Sequence, residues 1–217
     1  MRPTCLICLI SLMEKIQKQG GLPTQRIIKS GGIQNTLVYW LAVEIYNLNH
    51  IFINKYIPRN TRTFDQMEQA ARSGKQDLVE GSLENSTESN LKLSGVSRAS
   101  YGELVEDYTD FLWKKGLKVW DKNDPRIIRL RRIFINPHEP HVTHESHKWN
   151  EISFSDPEAF ANLMITLCTK EGFLMDRFLK GIENRFVKEG GFRENLFKKR
   201  LEYKNNQIKS APNQWKS

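Results

Sequence analysis

The fold of this chain is indicated first by the stretch QNTLVYWLAVEIYNLNHIFINKYI, residues 34–57. Large apolar residues recur in it at steps of three and four, the spacing that places side chains on one face of an α-helix. They are Leu37, Leu41, Ile45, Leu48, Phe52 and Tyr56. Pro58 ends the pattern, because proline cannot continue a helix. The stretch therefore predicts an amphipathic helix roughly 36 Å long.

Three further long helices are expected on the same grounds. Thr63 and Gln66 have the spacing of a capping box at the start of the second helix, and Gly81 is placed to end it. The apolar seam of that helix is Phe64, Met67, Ala71, Gly74 and Leu78. The third helix is expected over residues 85–116, and the fourth opens at residues 156–157, where Asp-Pro has the order of an N-cap followed by a first helical residue.

No window of the sequence shows the period-two alternation that strands require. The predicted class is therefore all-α, an antiparallel up-and-down four-helix bundle. Residues 117–155 are expected to form an inserted loop and short helix between helices three and four. The expected segments are a flexible N-terminal segment (1–33), the bundle with its insertion (34–190) and a basic helical tail (191–217). If Met13 is the true start, residues 1–12 lie upstream of the protein.

The composition is that of a globular protein, with 39% hydrophobic and 27% charged residues. This balance excludes a disordered chain, and no apolar run approaches the length of a membrane helix. Three cysteines exclude a disulfide scaffold and favour a reducing compartment, so we expect a cytoplasmic protein.

The positive charge is concentrated at the two ends of the chain. The formal net charge is +8, yet residues 34–176 contain 17 basic and 20 acidic residues, whereas residues 177–217 contain 11 basic and four acidic ones. The candidate nucleic-acid-binding cations are Lys180, Arg185, Lys188, Arg193, Lys198, Lys199, Arg200 and Lys204. One interpretation is a solvated tail, and the other is an arm that binds phosphates. Phe192, Phe197 and Leu201 repeat at helical spacing, so we expect them to dock the arm against the bundle.

Five stretches of the sequence resemble a known family. They are QAARSGKQDLVEG (69–81), SRASYGELVEDYTDFL (97–112), ANLMITL (161–167), LMDRFL (174–179) and EGGFRENLFKKRLE (189–202). They resemble bacterial four-helix-bundle proteins, a family with members encoded in intervening sequences of large-subunit ribosomal RNA genes. The family also includes the accessory protein of diversity-generating retroelements, and the resemblance is strongest to the longer four-helix-bundle suffix-domain proteins. It implies a ring-like homo-oligomer, a pentamer, with nucleic acid or a reverse transcriptase as a partner.

Two oppositely charged pairs are expected between helices two and three. Residues whose numbers sum to about 176 should face each other if these helices are antiparallel neighbours joined by a short link. Arg72 would then face Glu103, and Glu80 would face Arg98. We interpret them as structural ion pairs that fix the register of the helices. A catalytic acid and base formed by Glu80 and Glu103 is the alternative, but it has neither a nucleophile nor a phosphate-binding loop beside it.

Two clusters of possible metal ligands occur in the sequence. Four histidines are spaced three residues apart, so in a polyproline helix they would share one face. They are His138, His141, His144 and His147. Imidazoles suit zinc, copper or nickel, and the alternatives are adventitious affinity or an inert polar loop. The carboxylates Glu103, Glu106, Asp107 and Asp110 are interpreted as a solvated helix face, and no metal site or cofactor is predicted.

Two functions remain open from the sequence. No catalytic constellation emerges, so we expect a non-enzymatic protein. One hypothesis is a nucleic-acid-binding accessory module, and the other is a homo-oligomeric interaction scaffold without nucleic acid. Trp40, Trp113 and Trp120 would supply interface anchors if they prove exposed.

Overall fold

The computed structural model describes residues 32–132 and 153–210, and all regular structure in these ranges is helical. The helices are α1 (Leu37–Tyr56), α2 (Arg62–Leu83), α3 (Thr87–Lys114), α4 (Pro125–Arg132), α5 (Pro157–Glu189) and α6 (Phe192–Ser210). A 3-10 turn, Ile33–Asn35, precedes α1. The predicted all-α class is confirmed for the described part of the chain. The expected flexible segment, residues 1–33, lies almost wholly outside it.

Side-chain caps determine where the long helices begin. The sequence predicts a capping box that starts at Thr63, but α2 begins two residues earlier. The reason is that the Thr61 hydroxyl accepts a hydrogen bond from the Phe64 amide at 3.3 Å. The start of α5 agrees with the prediction, since the Asp156 carboxylate accepts from the Glu158 amide at 2.9 Å.

Four long helices pack on one another in pairs, α1 on α2 and α5, and α3 on α2 and α5. Helices α2 and α3 run antiparallel: Ser97 Oγ donates to the Gly74 carbonyl at 2.5 Å, whereas Gly81, later in α2, lies against Leu93, earlier in α3. The sequence predicts that Gly81 ends α2, but it is buried inside the helix. A Cβ at this position would lie 3.2 Å from the Leu93 Cβ, so glycine here permits close packing rather than helix termination.

An aromatic cluster fills one end of the core. The ring centroid of Phe52 on α1 lies 4.9, 5.0 and 5.3 Å from those of Tyr108, Phe111 and Phe160. The Tyr108 hydroxyl donates to Asn49 Oδ1 at 2.6 Å, and the Asn49 amide donates to a backbone carbonyl of α2. These buried polar groups are therefore satisfied, and they join α1, α2 and α3 through one chain of hydrogen bonds.

The connection after α3 is fixed to the start of α5. Glu158 accepts hydrogen bonds from the Trp120 indole at 2.8 Å and from the Lys118 amide at 3.1 Å. These bonds hold the pKa of the Glu158 carboxyl below its ordinary value. Asn162 accepts from the Trp120 amide at 2.8 Å. The loop therefore positions α4 against the N-terminal end of α5.

Two glycines separate α6 from α5. Gly190 has a φ of 77°, in the left-handed region that favours glycine. A Cβ on the buried Gly191 would lie 2.7 Å from Glu88 Oε1 and 2.9 Å from a Phe186 ring carbon. The Glu194 carboxylate accepts from the Gly191 amide at 3.2 Å, which is one half of a capping box for α6. The start of α6 is thus held beside the start of α3.

The apolar residues of α6 do not dock against the other helices. Phe192, Phe197 and Leu201 are 48%, 62% and 43% exposed, so the docking predicted from their spacing is wrong. At 100° per residue, Leu201 and Phe197 lie in one row along the helix. Phe192 lies in a different row, and arginines lie between the two rows. The apolar side chains therefore do not form the single stripe that a helix buries against a core.

Candidate functional site

All eight cations of the expected nucleic-acid arm are exposed. They are Lys180, Arg185, Lys188, Arg193, Lys198, Lys199, Arg200 and Lys204. Three of them lie on the last third of α5 and five on α6. Within residues 32–132 and 153–210, none of the eight makes an ion pair within 4.0 Å. Glu88 partly offsets the charge of Arg193, and the positive charge of the rest of the arm is available to an external anion.

The cations of α6 lie on two sides of the helix. Arg193, Arg200 and Lys204 are seven and four residues apart, so they form one row along the helix. Lys198 and Lys199 point about 100° or more away from each member of that row. The helix can therefore present positive charge to two different surfaces at once.

A second basic patch surrounds α4, although the charge count over residues 34–176 does not show it. The helix has the sequence PRIIRLRR, with four arginines in eight residues, and Lys118 and Lys122 precede it. Averaging over residues 34–176 hides this patch, because the same segment contains the acidic face of α3. A shorter counting window would reveal it from the sequence.

The arginines of α4 are partly engaged within the protein. The Arg126 guanidinium lies 3.6 Å from the Trp120 ring centroid. It donates one hydrogen bond to each carboxylate oxygen of Asp124, at 3.0 and 2.8 Å. Hydrogen bonds from Arg126 lower the pKa of Asp124 to about 2. Arg126 and Arg129 line a groove of about 360 Å³ together with Asp156. With Asp156 in its wall and Arg126 engaged, this groove is less suited to phosphate than the arm.

The two predicted ion pairs between α2 and α3 are not formed. Among the described residues, no ion pair within 4.0 Å joins Arg72 to Glu103 or Glu80 to Arg98. Arg98 instead pairs with Asp176 of α5, with Nε 2.8 Å from Oδ1. The residue of α3 that faces α2 is Ser97, whose hydroxyl donates to the Gly74 carbonyl, so the next residue, Arg98, is turned by about 100° towards α5.

The Arg98 side chain also packs over Gly172 of α5, which has no side chain. A Cβ on Gly172 would lie 3.3 Å from the guanidinium carbon of Arg98, so the glycine leaves room for this side chain. Arg98 therefore joins α3 to α5 rather than to α2. Glu80 instead accepts a hydrogen bond from the side-chain amide of Gln76 at 3.1 Å, within the same helix.

One carboxyl group lies inside the helical core. Glu171 of α5 is fully buried, and within the described residues neither of its carboxylate oxygens has a hydrogen-bond partner. Burial holds the pKa of Glu171 well above its ordinary range. Burial, reinforced by Glu171, also raises the pKa of Tyr101 and of the Cys168 thiol. The thiol therefore stays protonated and is a poor nucleophile.

The Tyr101 ring in this cluster lies directly against α2. We expect Gly74→Ala to destabilise the protein by about 1–3 kcal/mol, because its Cβ would lie 2.8 Å from the ring of Tyr101, which is fully buried. Gly95→Ala is the matched control, since a Cβ there meets nothing within 4 Å. It should stabilise the protein by up to about 1 kcal/mol through helix propensity. Urea unfolding followed by circular dichroism measures both changes, and equal effects would contradict the close contact.

The acidic face of α3 is solvent-accessible, as expected. Glu103, Glu106 and Asp110 are exposed, and Asp107 is half-buried. Partial burial and then the charges of Asp110 and Glu103 raise the pKa of Asp107. Residues 32–132 and 153–210 contain no group of three or more histidine, cysteine or acidic side chains arranged to hold a metal ion. The four clustered histidines lie outside these ranges.

One of the three tryptophans considered as interface anchors is strongly exposed. Trp113, near the end of α3, is 79% exposed. Trp40 and Trp120 are half-buried, and the Trp120 ring is covered by Arg126. Of the three, Trp113 thus offers the apolar surface expected of an anchor. No helix in the described part of the chain has the length and apolar character needed to cross a membrane.

Comparisons with known proteins identify no family for this chain. No family model matches it, and neither a curated protein nor a solved structure does. The resemblance to bacterial four-helix-bundle proteins therefore stays a prediction from the sequence.

Proposed function

We propose that this chain is a non-enzymatic nucleic-acid-binding protein built on an antiparallel four-helix bundle of α1, α2, α3 and α5. The end of α5 and the whole of α6 would form an arm that binds the phosphate backbone. The observation that carries the proposal is the exposure of all eight cations of this arm, with none of them in an ion pair within the described residues. Such cations can release counterions from a polyanion at little cost to the fold.

The binding should depend on charge more than on sequence. The arm carries lysines and arginines, which contact phosphate oxygens and carry no sequence information when they do so. Lysines and arginines can contact backbone phosphates without α6 entering a groove of the duplex. We therefore expect similar affinities for duplexes of unrelated sequence, with a strong dependence on salt.

The salt dependence gives a direct test. If about four of the eight cations reach phosphates of a DNA duplex, the logarithm of the binding constant should fall with the logarithm of salt concentration at a slope near −3 to −4. The variant Lys198→Gln/Lys199→Gln should flatten the slope by about two units, because each lost phosphate contact removes about 0.9. Fluorescence anisotropy with a labelled duplex at several salt concentrations measures the slope.

A control variant that removes the same number of positive charges elsewhere distinguishes an effect of the arm from an effect of the protein's net charge. Lys114→Gln/Lys115→Gln removes two adjacent exposed lysines at the end of α3. This variant should keep the slope of the unmodified protein. Absence of binding at low salt, or the same flattening in both variants, would contradict the proposed arm.

The second function is a homo-oligomeric interaction scaffold that does not bind nucleic acid. It is favoured by large exposed apolar side chains, of which Trp113, Phe173 and Val187 are 79%, 60% and 77% exposed. Such surfaces are typical of protein–protein contacts. The resemblance to bacterial four-helix-bundle proteins favours nucleic-acid binding with a reverse transcriptase as partner, and it implies a pentamer for either function. Oligomerisation is compatible with both functions, so nucleic-acid binding is the property that distinguishes them.

A further inference from the structure

One side of α6 combines exposed apolar and basic residues. Arg193, Arg200 and Lys204 form a central row, and apolar side chains lie on both sides of it. The flanking residues are Phe192, Leu196 and Tyr203 on one side and Phe197 and Leu201 on the other, all between 43% and 65% exposed. A monomeric protein rarely exposes so many large apolar side chains on one element. This face therefore has the composition of a surface that is covered by a partner.

The outer face of α3 is complementary in charge. Glu103, Glu106 and Asp110 point away from the core residues of α3 and are exposed. One exposed ion pair, between Lys114 and Asp110 at 3.2 Å, partly offsets these charges. The strongly exposed Trp113 lies one turn beyond Asp110, so this face too combines charge with apolar surface.

The spacing of the charges matches between the two faces. Arg193 and Arg200 are seven residues apart, as are Glu103 and Asp110, which corresponds to about 10.5 Å along each helix. In an antiparallel arrangement Arg193 would meet Asp110, and Arg200 would meet Glu103. A parallel arrangement would place Lys204 against Lys114, and like charges in contact are unfavourable.

Helix α6 cannot form this antiparallel contact with α3 of its own chain. Gly191 is held beside Glu88, so an α6 folded back on its own α3 would run parallel to it from that end. Arg193 would then lie near residue 90 and Arg200 near residue 97, about 9 Å short of Glu103. The charge match therefore requires α3 of another molecule.

We propose that α6 of one molecule docks, antiparallel, on the outer face of α3 in a second copy of the chain. The two surfaces are different, so each copy donates one α6 and receives another. Such a head-to-tail contact closes into a ring or extends as a filament. The inference rests on the oligomer of the proposed function, but not on nucleic-acid binding. Lys198 lies on the other side of α6 and Lys199 lies at the edge beside Phe192, both about 100° or more from the basic row, so they stay accessible to phosphates.

Charge reversal and its compensation test the contact. Sedimentation velocity without nucleic acid should show oligomers of the unmodified protein that dissociate on dilution and at high salt. Arg193→Glu/Arg200→Glu should weaken association at least tenfold, and so should Glu103→Arg/Asp110→Arg. All four residues are exposed, so circular dichroism should show unchanged helix content in each variant.

The combined variant decides the outcome. A chain with all four substitutions restores opposite charges across the contact, so it should associate within about threefold of the unmodified protein. A monomer of 25.4 kDa at every concentration for the unmodified protein would overturn the inference. So would oligomers that both double variants leave intact, or a combined variant as weak as either alone. Nucleic-acid binding is tested separately, by the salt slope of the unmodified protein and of Lys198→Gln/Lys199→Gln, so the two proposals fail separately.

Discussion

Replacing Glu171 with methionine should raise the free energy of unfolding at neutral and alkaline pH and flatten its pH dependence. Burial holds the pKa of Glu171 well above its ordinary value of 4.5. The folded protein therefore keeps this proton at pH values where the unfolded chain has lost it. Stability then falls by up to about 1.4 kcal/mol per pH unit from about pH 4.5 upwards, until the pKa of the folded state is passed.

Methionine removes the carboxyl group that causes this loss of stability. It has a length similar to that of glutamate, but it has no charge and no oxygen that needs a hydrogen-bond partner. Urea unfolding at several values from about pH 5 to about pH 9 measures the slope. Glu183→Met, at an exposed position of the same helix, should leave the slope unchanged. A methionine variant that keeps the full pH slope would show that another group causes it.

Replacing Phe52 with alanine should lower the free energy of unfolding by about 3–5 kcal/mol. The side chain is fully buried, and its ring meets those of Tyr108, Phe111 and Phe160 at centroid distances of 5.3 Å or less. Alanine would leave a cavity where α1, α3 and α5 meet, and it would remove three edge-to-face contacts. Thermal and urea unfolding followed by circular dichroism give the change.

The matched control for this cavity is Phe173→Ala. Phe173 is 60% exposed on α5 and should change stability by no more than about 0.5 kcal/mol. A loss of less than about 1 kcal/mol for Phe52→Ala would contradict the close packing of the aromatic cluster.

The helices of the fold could be predicted because their signals are local. The spacing of Leu41, Ile45 and Phe52 predicts α1, and all three residues are fully buried in the structure. Asp156-Pro157 likewise predicts the start of α5, because an N-cap acts on amides two or three residues away. The start of α2 differs by two residues, since Thr61 and Thr63 can both serve as caps and the sequence does not choose between them.

The candidate site could be predicted only in part, because its geometry depends on contacts between distant segments. Counting charges identifies the basic arm, and its cations are exposed in the structure. The partner of Arg98 could not be identified in this way, since Asp176 is 78 residues away and the pairing depends on the rotation of α3. The unsatisfied Glu171 carries no sequence signal either, because one glutamate in a long helix is usually solvated.

The sequence by itself determined the all-α class, the extents of the long helices to within a few residues and the position of the basic arm. These properties follow from helical periodicity, capping and charge, which act over a few residues. Only the tertiary structure decided that Arg98 pairs across to α5, that Glu171 is buried and that α6 stands away from the core. Each of these depends on helix rotation and register, where a shift of one residue turns a side chain by 100°.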